Sequence, residues 1–423
     1  MNWQRVQLKR IAHLTSGGTP DVSDADNWVE SDTHGYAWVA IGDMSNRSVV
    51  ESTSRRISSQ GMRNARLKLA PPGTLLFSMY ASLGHTAILG EPGCWNQAIL
   101  GITPALGVDP RFLNYSLVSL RPTLLSMARS TTQNNLNAEQ VGNLSLLLPS
   151  FEEQRNIADF LDTETSRIDQ FISAHRRQIH LIEERELSSI YDALRGADEP
   201  GERKTSGLDW LREIPASWPV ASVSSQFDIQ LGKMLNEERT RGTNLKPYLR
   251  VLNVQWDDID VEDLAQMNFP RSERKRYEVL PGDLLICEGG SYPGRAAIWE
   301  GQIPEIYYQK ALHRARSRGR SSVRWLYYCL RVARAMSVFE VEGNSTTMTH
   351  LTGEQLAVHR FPFPEREVQD RLIRNLDEAT KRNRLLRAAL EKQLEVLTER
   401  RQALITMAVT GRIDMATAQQ VKV

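Results

Sequence analysis

The chain has 423 residues, with 52 Lys and Arg against 51 Asp and Glu, 41% hydrophobic residues and three cysteines. The length allows two to four domains, and a net charge of +1 excludes a chain that binds polyanions by bulk charge alone, so any such affinity has to come from local patches. Cys94, Cys287 and Cys329 lack the spacing of a disulfide framework or a zinc site. No run approaches the ~18 apolar residues of a membrane span, and MNWQRVQLKRIAHL lacks the apolar core of a signal peptide. The expectation is a cytoplasmic protein without a membrane partner.

Residues 1–150 read as a strand-rich mixed domain in which Gly and Pro punctuate short apolar runs: TSGGTPD, YAWVAIGD, APPGTLLFSMY and GHTAILG. Residues 151–205 read as a helical spacer. Between 152 and 196 there is no proline, and glycine occurs only at Gly196. Ile157, Leu161, Ile168, Ile172, Ile179, Ile182, Ile190 and Leu194 fall on one helical face. Residues 206–362 repeat the mixed style (YLRVLNVQW, LPGDLLICEGG, GRAAIWEG). Residues 363–423 form a second spacer, with Leu372, Leu376, Leu386, Leu390, Leu394, Leu397, Ile405 and Val409 as its stripe and Gly411 at its end. Each helix of about 45 residues is roughly 65 Å long at ~1.5 Å per residue. Neither can bury its stripe alone, so the two gain most by zipping together. Asn383 stands where the first stripe has Ile168, either as a register-setting polar residue or as an edge residue.

The chain is a tandem duplication. Shifted by 215 residues, Trp3 falls on Trp218, Gly17 on Gly232, Leu136-x-x-Glu139-Gln140 on Leu351-x-x-Glu354-Gln355, Gln154 on Gln369, Leu161-Asp162 on Leu376-Asp377, and Gly196 on Gly411. Within the mixed domains the offset drifts to 209 and 210, so loop lengths differ there. The expected fold is α+β: twice a strand-rich domain followed by a long helix, the two helices pairing as an antiparallel coiled coil and acting as a ruler between the mixed domains.

SGGTP at 16–20, AWVAIGD at 37–43, PPGTLLFS at 71–78, NQAILGITP at 96–104, TTQNNLNAEQ and then LPSFEEQRNIADFLDTETSRID occur in that order. With the second copy (TTMTHLTGEQL, ERRQALITMAVTGRID) and the linker TSGLDWLREIPASWPV at 205–220, the chain resembles, over nearly its whole length, the specificity (S) subunit of type I restriction–modification enzymes. The second copy departs from the pattern in REVQDRLIRNLD, which loses the Ile-Ala pair, and Asn96-Gln97 becomes Tyr308-Gln309. The resemblance implies a non-catalytic subunit whose two target-recognition domains each read one half of a bipartite sequence in double-stranded DNA. It also implies two methyltransferase (M) and two restriction (R) subunits as partners. S-adenosylmethionine, ATP and Mg are then expected on those partners, and no cofactor or metal in this chain.

The residues agree with an absence of chemistry. No Asn/Asp-Pro-Pro-aromatic motif of an amino-methyltransferase is present, and GGSYPGRAA lacks the Lys and hydroxyl of a phosphate loop. His85 and His313 read as local hydrogen-bonding residues. Candidate DNA contacts are Ser16, Gly17 and Thr19 of SGGTP, Tyr80, and Gln133 and Asn134, which either meet adenine edges or cap the next segment. In the second domain they are Tyr292 and Arg295 of a Gly/Pro turn. Arg314, Arg316, Arg318 and Arg320 follow, whose alternation on a strand makes either a basic stripe for phosphates or a solvated surface. RSERKRY at 271–277 adds positive charge. A protein-interaction scaffold that reads no DNA, and a DNA enzyme with unfamiliar motifs, are the alternative readings.

Overall fold

The computed structural model describes residues 3–29, 35–45, 48–80, 82–129, 135–234, 242–289, 293–341 and 350–413. The chain forms two compact units: residues 1–176 with 391–423, and residues 177–390. In the first, strands β1 (Ala12–Ser16), β2 (Val49–Val50), β3 (Leu75–Ser78), β4 (Thr86–Leu89) and β5 (Ile99–Pro104) form a sheet in the order β1-β5-β3-β4-β2. The run LLFS of β3 is buried throughout because both faces of the sheet are covered. Leu75 and Phe77 face a core completed by Leu113 and Leu117 of α2 (Pro110–Arg129). Leu76, between them, faces a second core with Val39 and Trp95. Helix α1 (Ser59–Asn64) is short, and α3 (Phe151–Leu194) is the first long helix.

The second unit repeats this plan with β6 (Phe227–Leu231), β7 (Leu284–Cys287), β8 (Ala296–Ile298) and β9 (Leu312–Ser317) in the order β6-β9-β7-β8. Leu284 and Ile286 again face a helix, α5 (Val323–Ala335), while Leu285 and Cys287 face the opposite core. Helix α4 (Arg271–Tyr277) corresponds to α1, and α6 (Arg366–Val409) is the second long helix. The fold is α+β, as expected, yet α2 and α5 lie inside segments that read as strand-rich. In α5, Trp325 to Leu330 form an unbroken buried run, which masks the polar side made by Arg324, Arg331 and Arg334. Its aromatic content then imitates a strand.

The long helices begin and end for local reasons. Ser150 and Glu153 form a reciprocal cap at the start of α3: Ser150 N and Oγ donate to Glu153 Oε2 at 2.9 and 2.8 Å. These bonds hold the Glu153 carboxyl below its usual pKa. Both helices end in the same way. Gly196 (φ 58°) and Gly411 (φ 71°) take the left-handed conformation, and Ala197 N and Arg412 N reach back to Asp192 O and Met407 O at 2.9 and 2.8 Å. A Cβ on Gly196 would meet Trp218 at 2.9 Å, and one on Gly411 would meet Trp3 at 3.1 Å, so the repeated Trp and the repeated Gly of each copy are in contact within its own unit.

In each unit the helical segments run antiparallel. In the first, Asp169 binds Arg401 (2.8 Å) and His175 meets Gln393 (2.6 Å). Ile157, Ala158 and Leu161 pack with Ile405, Ala408 and Val409. In the second, Glu183 binds Arg387 (3.2 Å), and Asn383 donates to the buried Glu186 (3.3 Å). Asn383 is thus a polar contact across the helix pair. The first stripe holds, with Ile179 and Ile182 half-buried. In the second, Leu386 is 51% exposed and falls outside the seam, whereas Ile373, four residues on from Gln369, is buried at 8%. Leu390→Ala should therefore destabilise the chain by about 2–5 kcal/mol, as a buried leucine does. Leu386→Ala should stay within about 0.5 kcal/mol. Urea midpoints of the two variants check the seam.

Candidate nucleic-acid interface

In the first unit, four chain segments meet at one end of the sheet. Leu100 lies opposite Ser16, and Ile99 opposite Ser78, so the ends of β1, β5 and β3 are neighbours. Beyond Ser16 the chain lies against the turn before β5. A Cβ on Gly17 would sit 2.1 Å from Asn96 O, a contact that only glycine permits. Gly18 N donates to Trp95 O at 2.9 Å, and Thr19 Oγ1 is hydrogen-bonded to Gln97 Oε1. Met79 O accepts from Ala98 N (2.9 Å) and Leu136 N (3.1 Å), and Ser78 Oγ donates to Tyr80 O (2.8 Å). Ser16, Gly17, Thr19 and Tyr80 are thereby brought together, with Ser16, Thr19 and Gln97 exposed. Gln133 and Asn134 lie outside the described residues.

The segment after α1 borders this end. A Cβ on Gly18 would lie 3.3 Å from Leu67 and 3.6 Å from Ala65 O. Arg63, Arg66 and Lys68 around it are exposed. The sequence reading did not pick out this basic group, because GMRNARLK has no run of like charge. Its place beside Gly18 is what gives it meaning.

The second unit builds the same end from other side chains. A Cβ on Gly232 would sit 2.2 Å from Gln309 O, Lys233 N donates to Tyr308 O (3.0 Å) and Lys310 N to Lys233 O (2.9 Å). Lys233 is buried. Its Nζ donates to Asn268 O at 2.5 Å, lies 2.5 Å from Glu273 of α4, and stands 4.8 Å from the centre of the Phe269 ring. This side chain ties the glycine turn to the basic helix. Arg271, Lys275 and Arg276 of α4 and Lys310 of the turn are exposed.

The four alternating arginines do not form a stripe. β9 lies between β6 and β7, so its side chains enter packed layers. Arg314 is 4% exposed and donates to Arg276 O and Glu278 O at 3.2 and 2.8 Å. Arg316 forms a two-pronged pair with Asp283 (2.6 and 2.7 Å), which raises its pKa further. Arg318 and Arg320 are exposed, but they follow the end of β9 opposite Phe227, at the far end of the sheet from Gly232. Arg295 is half-buried, with its guanidinium on Gln255 Oε1 (3.0 Å) and Val251 O (3.1 Å). Tyr292 lies outside the described residues. His85 and His313 bond to Met44 O (2.7 Å) and Leu351 O (2.8 Å), and burial lowers the pKa of His313.

Among the described residues no helix is long and apolar enough to cross a membrane, and no cluster of three or more His, Cys, Asp or Glu is placed to hold a metal. Comparison with known proteins gives a consistent answer. Residues 1–181 match the family model of the type I restriction modification DNA specificity domain. The type I restriction enzyme MjaIX specificity subunit of Methanocaldococcus jannaschii is 23% identical over 59% of this chain and 57% of its own length. The EcoBI specificity subunit of Escherichia coli is 27% identical over 49% of this chain and 41% of its own. The matches thus span about half the length of these relatives. A chain solved in a study of complex assembly and conformational transition of the type I R-M system shares the fold, with a TM-score of 0.68 at 16% identity over 96% of this chain and 97% of that one. Residues 1–181 are thus similar to a type I restriction modification DNA specificity domain, and the chain shares its fold with a protein of a type I R-M system.

Proposed function

We propose that this chain is the DNA-reading subunit of a type I restriction–modification complex, in which each recognition domain meets one half of a bipartite target in double-stranded DNA. The observation that carries this reading is the repeated sheet end: a glycine turn pressed onto a neighbouring turn, bordered in both units by a short basic helix or the segment after it. The hydroxyls and amides of Ser16, Thr19 and Gln97, and of Gln309 in the second unit, suit base edges or phosphates. Arg63, Arg66 and Lys68, and Arg271, Lys275, Arg276 and Lys310, supply positive charge beside them. In a chain of net charge +1 these are the local patches that polyanion binding requires.

In this reading the chain does no chemistry of its own and acts in the cytoplasm. Two methyltransferase subunits dock on the helices and carry S-adenosylmethionine, and two restriction subunits carry ATP and Mg. The helices set the gap between half-sites. A scaffold that binds two copies of a protein without reading DNA is the competing account, and it needs no basic rim around either sheet end.

Two measurements test the reading. Co-expression with the methyltransferase subunit in a host without adenine methylation should place N6-methyladenine at a split motif with an unspecified gap. Methylation at the same motif without this chain, or none from a co-purified complex, would count against it. For the complex on duplex DNA, log affinity should fall by about 0.9 per unit of log salt for each phosphate neutralised. Replacing Arg63, Arg66 and Lys68 with Gln should flatten that slope by about one to three such steps. Arg314→Gln should leave the slope unchanged and lower stability by about 1–3 kcal/mol, since it removes a buried donor from the carbonyls of Arg276 and Glu278. An unchanged slope in the triple variant would remove this surface from the DNA contact.

A further inference from the structure

The root of each recognition domain is fastened to its own long helix by the same set of polar side chains. In the first unit, Gln154 of α3 is 1% exposed. Its Oε1 accepts from Asp109 N (2.9 Å), and its Nε2 donates to Pro149 O (3.0 Å) and Gly107 O (3.3 Å). Arg111 of α2 donates to Asp159 and Asp162 of α3, both at 2.7 Å, and Tyr115 OH donates to Asp162 Oδ1 at 2.7 Å. In the second unit, Gln369 is fully buried, accepts from Ser322 N (2.9 Å) and donates to Pro364 O (2.7 Å) and Ser321 Oγ (3.2 Å). Arg324 and Tyr328 of α5 meet Asp377 of α6 at 2.7 and 2.5 Å. Arg111-Phe-Leu-x-Tyr115 and Arg324-Trp-Leu-x-Tyr328 are one motif, repeated at an offset of 213 and missed in the sequence reading because the main repeat runs at 215.

Apolar packing sets the crossing angle of two helices only to within about 15–20°, whereas charged hydrogen bonds are directional and strong. The clasp therefore contributes orientation. The two copies differ in one respect. Asp257, at φ 57° in the turn between Val254–Gln255 and Asp258–Ile259, pairs with Arg324 and also takes Arg384 of α6 at 2.7 Å. The second clasp thus ties the domain, its helix α5 and the long helix α6 to one carboxylate. Arg111 finds its further carboxylates in Asp159 of α3 at 2.7 Å and in Asp109 at 3.4 Å.

We propose that the Gln–Arg–Tyr–Asp clasp is the positioning device of each recognition domain, setting the angle at which the domain sits on its own helix. A domain that rocks on its helix accepts half-sites displaced by a base pair. This last step rests on the DNA-reading function proposed above, whereas the mechanical one does not.

The test uses the full chain in complex with its methyltransferase subunits and reads two quantities. One is deuterium exchange over 107–118 and 320–331. The other is methylation of duplexes with the native gap against gaps longer or shorter by one base pair. Asp162→Asn should speed exchange over 107–118 and cut the preference for the native gap about fivefold or more, the scale of one lost charged hydrogen bond. Asp377→Asn should do the same over 320–331, because it likewise weakens the acceptor shared by Arg324 and Tyr328. Tyr115→Phe, which removes one hydroxyl, decides the case if Asp162→Asn fails to fold: faster exchange with a relaxed gap supports the clasp. Methylation lowered equally at all gaps, or exchange unchanged, would overturn it. A wild-type complex without any gap preference would overturn the DNA-reading function, leaving exchange alone to judge the clasp.

Discussion

Neither long helix can bury its apolar stripe by itself, and everything else in the molecule follows from the way each finds cover. Burying a leucine or isoleucine side chain contributes about 1.5–3 kcal/mol, and Ile157, Leu161, Ile405 and Val409 are covered where the start of one helix lies along the end of the other, together with Phe112 and Tyr115 of α2. In the second unit Ile190 and Leu194 share a core with Ile373 and Leu376. Antiparallel pairing is thus a condition for either unit to exist, and each mixed domain is built onto a helix pair, not onto a single helix.

On this base the polar groups do what apolar burial cannot. Gln154 and Gln369 are buried and satisfied on both sides of the carboxamide, so each fixes a position as well as filling space. Their pairing at the repeat offset was visible in the sequence, where it read as a family signature without a role. The structure assigns it one: a bridge between the start of the long helix and the turn that opens the domain's own helix.

What the sequence made legible was whatever is punctuated locally. Pro149 and Gly196 bracket the first long helix, and its stripe could be read residue by residue. Leu386 was misread because apolar character alone does not show which side of a helix meets a partner, and the seam passes through Asn383 and Arg387 instead. The arginine alternation was real and its meaning was not. A period of two says which residues share a face of a strand, but not whether that face meets water. Here β9 is an interior strand, and Arg314 and Arg316 found Arg276 O, Glu278 O and Asp283 within the fold. Ser16, Gly17, Thr19 and Tyr80 did come together, since they sit where strands end and turns must pack.

The first unit is discontinuous: Phe112, Ile157 and Leu161 share a core with Ile405, Ala408 and Val409, whereas the second unit is one uninterrupted stretch of chain. During synthesis the second unit completes itself while the first still waits for its cover. At ~5–20 residues per second the ribosome takes roughly ten to forty seconds to deliver it. Throughout that interval the nascent chain presents a helix with an open apolar stripe, so the first domain made is the last to be finished, and chaperone demand falls on the N-terminal half.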